Sequence, residues 1–550
     1  MLCSKGIYLR QHFFRDIVKR HRYLETSHMK NVITIFSLLL ATSANAQMTF
    51  QKTFGLYSTE YGFSVGLTDN GGYVIAGSSQ SFGTGDYDVY LIRTDANGDT
   101  LWTATVGNTS TDFGYSAAQT SDGGFIVTGE KGGSGGDVYL IKTDSAGNLL
   151  WTTSISLTFL HNQFGRSVRE TRDSGFIICG DFEDYLTNGY EMYLIRTNRN
   201  GDTLWSNVFG GANEEHGLDV VQCTDGSFIS CGYTGSYGAG FNDAFLIKAD
   251  SMGQLIWAKT YGGPGFETAF SVKQTADGGY IVGGSMSFAV GVFDAYLIKT
   301  DSIGDTLWTK TYGGTGSNGI RTVQEIPTGG FIGIGSTDAF GAGVTDAFII
   351  RTDANGNLMW SKTYGGTAAD NGQSIQQSND GGFIAVGFTE SFGAGGNDIY
   401  FIKTDSLGNS GCNENTVFPL VTTPSTQVIN FNPSVVSLGT IGFPQPIIHR
   451  GGTVTNYCIG NVDISKIPDP NSILVGPNPS DGTFFISSSD NTTHGFIEVS
   501  NILGERIAEE ELSGKSKKEI RLNNISDGIY FVKVFQGAKY HCWKLIIEQN

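Results

Sequence analysis

Asp95, Asn97 and Asp99 stand at alternate positions in LIRTDANGDTLW (91–102), a spacing at which three side-chain oxygens could converge on a calcium ion. The same words return as LIKTDSAGNLLW (140–151), LIRTNRNGDTLW (194–205), LIKADSMGQLIW (246–257), LIKTDSIGDTLW (297–308) and IIRTDANGNLMW (349–360). A calcium loop of the EF-hand kind needs a glycine at its sixth position and a bidentate acid at its twelfth, and the copies DSAGN, NRNGD and DSMGQ do not keep the ligand set. A hairpin turn needs less: a left-handed residue, supplied by Gly98, and a side chain that folds back on its own backbone, supplied by Asp95. The turn is the better reading. A second set of acids, Asp88, Asp137, Glu191, Asp243, Asp294, Asp346 and Asp398, opens the next-to-last strand-like run of every repeat. Seven carboxylates suggest a metal ring, yet the position falls several residues from any strand that could line a channel, and an acid tying down the loop before it is the simpler role.

Other chemistry is thin. Beyond residue 46 only His161, His216, His449, His494 and His541 remain, and none sits in an H-E-x-x-H helix, a G-x-S-x-G elbow or a two-histidine metal spacing. The plentiful carboxylates leave an acid pair of the glycosidase kind as the alternative, an extracellular hydrolase or lyase acting on polysaccharide. Most of them occupy turn slots, so a protein that is not an enzyme is expected, with no catalytic, cofactor-binding or metal residue assigned.

The elements that carry these residues come in sevens. A Gly-Gly/aromatic signal recurs as DNGGYVIAG (69–77), SDGGFIVTG (121–129), RDSGFIICG (172–180), TDGSFISCG (224–232), ADGGYIVGG (276–284), PTGGFIGIG (327–335) and NDGGFIAVG (379–387). The period, roughly 52 residues, and four strand-like runs per copy are those of propeller blades. The last copy runs into Gly411-Cys412 before its fourth run arrives, whereas MTFQKTFG (48–55) aligns with LMWSKTYG (358–365). An N-terminal strand completing the last blade would remove both open edges, which points to an all-β, seven-bladed propeller of four-stranded blades over 47–411. Trp102, Trp151, Trp205, Trp257, Trp308 and Trp360 each follow the turn glycine by four residues, where a ring can lie between neighbouring blades. This resembles the tryptophan docking motif of quinoprotein dehydrogenase propellers, shortened by one residue, without that family's quinone or calcium ligands; the acid opening the third strand resembles one feature of WD-repeat propellers. Arg93, Lys142, Arg196, Lys248, Lys299, Arg351 and Lys403 are expected to snorkel to the rim. Phe82, Tyr237, Phe288, Phe340 and Phe392 lie among glycines in the loop between second and third strands, and they are candidate ligand contacts on a rim, or staples holding each loop to its blade.

The chain of 550 residues carries 77 glycines, 11 prolines and a formal charge of -18, an acidic balance that argues against nucleic acid and anionic lipid. Its first 46 residues are basic, and within them MKNVITIFSLLLATSANAQ (29–47) has the basic start, apolar run and Ala-x-Ala end of a signal peptide, with Met29 as the expected true start. No later stretch approaches the roughly 20 apolar residues of a membrane helix. Residues 412–470 fill with Thr, Ser, Val and Pro and read as an extended connector bracketed by Cys412 and Cys458, a plausible disulfide in an exported protein. Cys179, Cys223 and Cys231 read as buried free thiols.

From 471 to 550 alternating strands and Asn/Gly turns read as a small immunoglobulin-like β-sandwich. Its words, Pro477-Asn478-Pro479, Asn501-Ile502-Leu503-Gly504, Leu522-Asn523-Asn524-Ile525, Gly528-Ile529-Tyr530-Phe531 and the terminal Lys544-Leu545-Ile546-Ile547, resemble the C-terminal sorting domain of the type IX secretion system of Bacteroidota. The repeats resemble the secreted propeller (SBBP-like) repeats of such bacteria. The resemblance implies export in two steps, engagement of the type IX machinery through the tail, and a secreted or cell-surface binding, adhesion or structural module whose ligand is a surface glycan or protein.

Overall fold

The structure, a computed structural model, describes residues 47–437 apart from 133–135, 157–161, 185–188 and 290 and, beyond 437, chiefly the strands named below. Residues 1–46, where the signal peptide is expected, His161 and Cys458 lie outside the described residues. Two compact units divide the chain at 459/460.

The first unit holds seven antiparallel sheets. In blade one the strands are Glu60–Leu67, Tyr73–Ser79, Asp88–Thr94 and Thr100–Gly107, from the inside outward. The second and third are buried along their whole length, since a neighbouring blade covers each face, so they read as near-continuous apolar runs. Burial lies between blades: seven apolar clusters of the first unit each join two successive blades, and one of them joins Ile384, Val386, Ile399 and Phe401 of blade seven to Val65, Ile75 and Tyr90 of blade one. Blade seven takes its fourth strand from the N-terminal side, Phe50–Phe54 pairing antiparallel with Asp398–Thr404. Phe50 faces Lys403 there as Trp360 faces Arg351 in blade six, the register expected from the alignment of 48–55 with 358–365.

The turn of the opening motif is an Asx turn. Asp95 Oδ1 accepts from the backbone N–H of Asn97 at 2.8 Å and of Asp99 at 2.9 Å, and Gly98 has φ of 72°. Each such turn is covered by an aromatic ring of the preceding blade: Phe50 lies against Gly98, Trp102 against Gly147, Trp308 against Gly356 and Trp360 against Gly408, where no Cβ would fit. Trp102, Trp205 and Trp308 also donate Nε1–H to a carbonyl of the turn they cover, at 3.2–3.3 Å. The acids opening the third strands bind their preceding loops as expected: Asp88 Oδ2 accepts from Thr84 and Gly85 N–H, and Asp243 Oδ2 from Ala239 and Gly240.

Two expectations need correction. The cations of the third strand do not snorkel to the rim; they are buried, and Lys142, Lys248, Lys299 and Lys403 reach Asp122, Asp225, Asp277 and Asp380 of the first hairpin turn in their own blades at 2.8–3.0 Å. A cation there satisfies both the turn carboxylate and a strand-end carbonyl, as when Lys142 donates to Thr143 O. The segment after 412 is also more than a connector. Glu414–Thr416 pairs with the outer strand of blade six, Leu420–Thr422 with five, Gln427–Asn430 with four, Ser434–Ser437 with three, Thr440–Gly442 with two, Ile447–His449 with one and Val454–Asn456 with Phe50–Phe54 of seven. Every blade thus gains a fifth strand from one belt that runs round the propeller against the order of the blades. The Thr/Val/Ile content that looked like linker suits short edge strands, which cover backbone groups otherwise left open.

The second unit is a two-sheet sandwich. Ile473–Gly476, Thr483–Ser488 and Lys517–Arg521 form one sheet; Arg506–Ser513, His494–Asn501, Gly528–Gln536 and Lys539–Ile547 form the other. Phe484, Ile486 and Ile520 of the first pack with Ile497, Val499, Val532, Val534 and Leu545 of the second. Tyr530 is buried and donates its hydroxyl to Ser526 O at 2.9 Å, pinning the turn that enters its strand. Pro477, Asn478, Pro479 and Gly504 lie outside the described residues, while Gly528 begins its strand.

Candidate functional site: the central channel

The innermost strand of every blade carries a β-bulge at the same place, between Gly62 and Ser64 in blade one and at the matching positions in the other six. A bulge inserts one residue and re-aims its side chain. The seven inserted residues are Phe63, Tyr115, Arg166, Leu218, Phe270, Arg321 and Gln373, and all seven line one cavity of about 890 Å³ along the propeller axis. After the bulge comes a hydroxyl, Ser64, Ser116, Ser167, Ser271, Thr322 or Ser374, except in blade four, where Asp219 takes its place. These groups stitch blade to blade: Ser64 Oγ accepts from Ala117 N–H, Ser116 Oγ from Val168 N–H and Ser374 Oγ from Val65 N–H, at 3.3–3.4 Å.

Charge is concentrated on blades three to six. Asp219 accepts from Ser167 Oγ at 2.8 Å, Lys273 Nζ at 2.5 Å and Arg169 Nη2 at 3.3 Å. Burial alone would raise its pKa, but Lys273 and then Arg169 overcome this and hold the carboxyl at about 2. Arg166 bonds Asp181 at 2.9 Å, and the far oxygen of Asp181 meets His216 Nδ1. The His216 ring is held between Tyr190 and Tyr233, at 4.4 and 4.5 Å between centroids. Burial works against the charge of Asp181 as well, and Arg166 followed by His216 keeps it ionised. Four basic groups, Arg166, Arg169, Lys273 and Arg321, therefore line a lumen whose wall also carries Asp69, Glu170 and Asp219; Arg169 and Lys273 are engaged by Asp219, and Arg166 by Asp181 behind the wall. With Phe63, Tyr115 and Phe270 beside them, such a lumen can take a polar or anionic ligand that also presents an apolar face.

The rim aromatics lie elsewhere. Phe82 packs on Tyr90, Phe340 on Phe348 and Phe392 on Tyr400, ring centroids 5.4–6.3 Å apart within their own blades. Tyr237 donates its hydroxyl to Gly210 O at 3.1 Å and stacks at 4.6 Å on Phe431 of the belt. Phe288 is the next-to-last residue of the strand Tyr280–Ala289, and its side chain is outside the description. None of the four described side chains lines the axial cavity; they serve as staples. Cys412 is disulfide-bonded, while Cys179, Cys223 and Cys231 are buried free thiols whose pKa burial pushes up. Sequence reasoning missed the channel ring. Its signal was present: in the inner strand the bulge position changes in type from copy to copy, while the residue after it is a small hydroxyl in six copies of seven.

Residues 475–548 match the family of secretion system C-terminal sorting domains. No curated protein matches the chain. Among solved structures it is similar to Sqt1 from Chaetomium thermophilum, at 13% identity over 61% of this chain and 81% of that one with a TM-score of 0.37. Another is the extracellular domain of a putative one component system of B. thetaiotaomicron, at 9% identity over 88% and 74% with a TM-score of 0.21. Both scores are too low to carry an argument about fold or function. The sorting-domain match falls on the second unit, whose seven strands and buried Tyr530 were described above, so the chain is an exported protein bearing a type IX secretion sorting domain at its C-terminal end.

Proposed function

We propose that this is a binding module delivered to the cell surface, in which the sorting domain is the address and the axial channel of the propeller is where ligand is held. The observation that supports this most is the bulge ring. Seven copies keep the same blade chemistry yet place Phe, Tyr, Arg, Leu, Phe, Arg and Gln at the bulge position, which lines the lumen in every blade. A purely structural ring has no use for an open lumen that gathers four basic groups in a chain of net charge -18. Binding without catalysis is the favoured activity, because Asp219, a carboxylate of the lumen wall, is engaged by Lys273 and Arg169 and so poorly placed to exchange protons.

The test has two arms. A glycan and protein array is probed with the full chain and with Leu218→Trp, which narrows the lumen without changing its charge; binding that the tryptophan weakens or abolishes supports the channel, and binding it leaves intact refutes it. Residues 471–550 fused to an unrelated folded passenger should carry that passenger to the surface of the native host, and retention of the fusion in the periplasm would refute the address.

A further inference from the structure

We infer that the lumen holds an anion-receiving subsite, formed by Arg321, Gln324 and Gln373 beside the Phe270 ring, and that its ligand is a saccharide bearing a carboxylate or sulfate group. The inference rests on the channel reading proposed above.

Arg321 occupies the bulge of blade six, with its guanidinium carbon 4.1 Å from the centroid of Phe270. Among the described residues it has neither an ion pair nor a hydrogen bond, whereas each of the other basic groups lining the cavity has a carboxylate: Arg166 has Asp181, and Arg169 and Lys273 share Asp219. Its side chain lines the cavity and is exposed, and the charge that acts on it is the like charge of Arg166. A guanidinium stacked on a ring, in a lumen whose other charges act on it with the same sign, has no carboxylate partner among the described residues and presents its fork to an incoming anion. A planar carboxylate or sulfate group takes the guanidinium fork in two parallel hydrogen bonds.

The neighbouring amides sharpen the chemistry. Gln119 and Gln376, also on the lumen wall, spend their carbonyls on the backbone N–H of Asp69 and Leu67. Gln324 and Gln373 line the same cavity, on the blade of Arg321 and the next one, and their side-chain amides make no hydrogen bond among the described residues. An amide both donates and accepts, which is what sugar hydroxyls require. Phe63, Tyr115 and Phe270 give the same wall aromatic surface against which the apolar face of a pyranose can lie. Acid group, hydroxyls and C–H face thus each meet a complementary group, a set that an acidic sugar brings together and a simple inorganic anion does not.

Calorimetric titration of the full chain settles the matter with three probes: trigalacturonate, a sulfated chondroitin tetrasaccharide and neutral galactotriose. At least one acidic probe should bind ten times or more tighter than the neutral one, and more weakly as salt rises. Arg321→Gln should weaken that probe at least tenfold, and Arg321→Lys should restore part of the loss. The melting temperature of Arg321→Gln should be unchanged or raised, since the wild-type charge is uncompensated; a structural role would lower it. Equal binding of neutral and acidic probes, or an acidic affinity indifferent to Arg321→Gln, overturns the anion subsite. If in either case Leu218→Trp still abolishes binding, the channel reading stands alone; binding indifferent to Leu218→Trp as well removes both. Failure of both acidic probes to bind overturns the acidic-saccharide inference.

Discussion

At four blade junctions two carboxyl groups of neighbouring blades converge on a glycine that ends an outer strand, Gly55, Gly107, Gly262 or Gly365, where a Cβ would collide with them. In one pair Asp243 and Glu267 are both buried, Glu267 Oε2 accepts from Gly263 N–H, and Asp243 Oδ1 and Glu267 Oε1 have no hydrogen-bond partner. Burial first and then the Asp243 charge push Glu267 up to about 7; burial and then Glu60 do the same to Asp398. The matching residues at two other junctions are the amides Gln163 and Asn318. A folded pKa raised above the unfolded value of about 4.5 means that the native state keeps a proton which the unfolded state has lost, so stability falls as pH climbs from about 4.5 to 7 and is level beyond. Glu267→Gln should therefore stabilise the propeller by about 2–3 kcal/mol at pH 8 and by almost nothing at pH 4, read from urea midpoints at both values. Equal midpoint shifts at the two pH values would refute this. The sequence displays these acids plainly, but their pairing across blades depends on how far successive blades are rotated, which no local pattern encodes. The bulge ring was hidden for a similar reason. Repeats are recognised by the positions that stay the same, and the bulge ring of the lumen varies from copy to copy.

The elements themselves were legible, because each repeat states the same turn, the same apolar run and the same docking tryptophan. Trp308 covers the Gly356 turn and meets Phe331 at 5.8 Å, so its removal should unlock one blade from the next. Trp308→Ala should cost about 3 kcal/mol, and hydrogen exchange should quicken first in the 353–357 turn; protection unchanged in that turn would sink the docking role. The strand Phe50–Phe54 lies between the blade-seven strand Asp398–Thr404 and the belt strand Val454–Asn456. Deleting residues 47–56 therefore strips two pairings from one sheet, and exchange of the 398–404 amides should rise well above that of 346–352 in blade six. The belt strands escaped the sequence because runs of three or four residues are too short to show alternation. Their spacing, one every six or seven residues from 414 to 454, becomes visible as a period only when the open edges of the seven blades are laid beside it.

Over the whole molecule, the belt changes what counts as the propeller. Its 43 residues from Glu414 to Asn456 can span at most roughly 150 Å, and along that length they close one edge of each blade. A chain ending at 411 should thus be markedly less stable and prone to edge-to-edge association, whereas one ending near 465 should fold normally in the periplasm and remain there for want of the sorting domain; equal melting temperatures for the two would refute a stabilising belt. The partner of disulfide-bonded Cys412 is expected to be Cys458, two residues beyond the last belt strand. Non-reducing peptide mapping should recover that pair, and a crosslink from Cys412 to any other cysteine would refute it. The bridge has a mechanical meaning for a protein held at a cell surface by its C-terminal side. Without it, tension entering past residue 459 would meet Val454–Asn456 first and peel the belt from blade seven, then one, then two, three hydrogen-bonded residues at a time. With it, the load crosses from residue 458 to Cys412 and enters blade seven through the chain beyond Asp398–Thr404, so the belt is left slack and the seven blades feel the pull as one body.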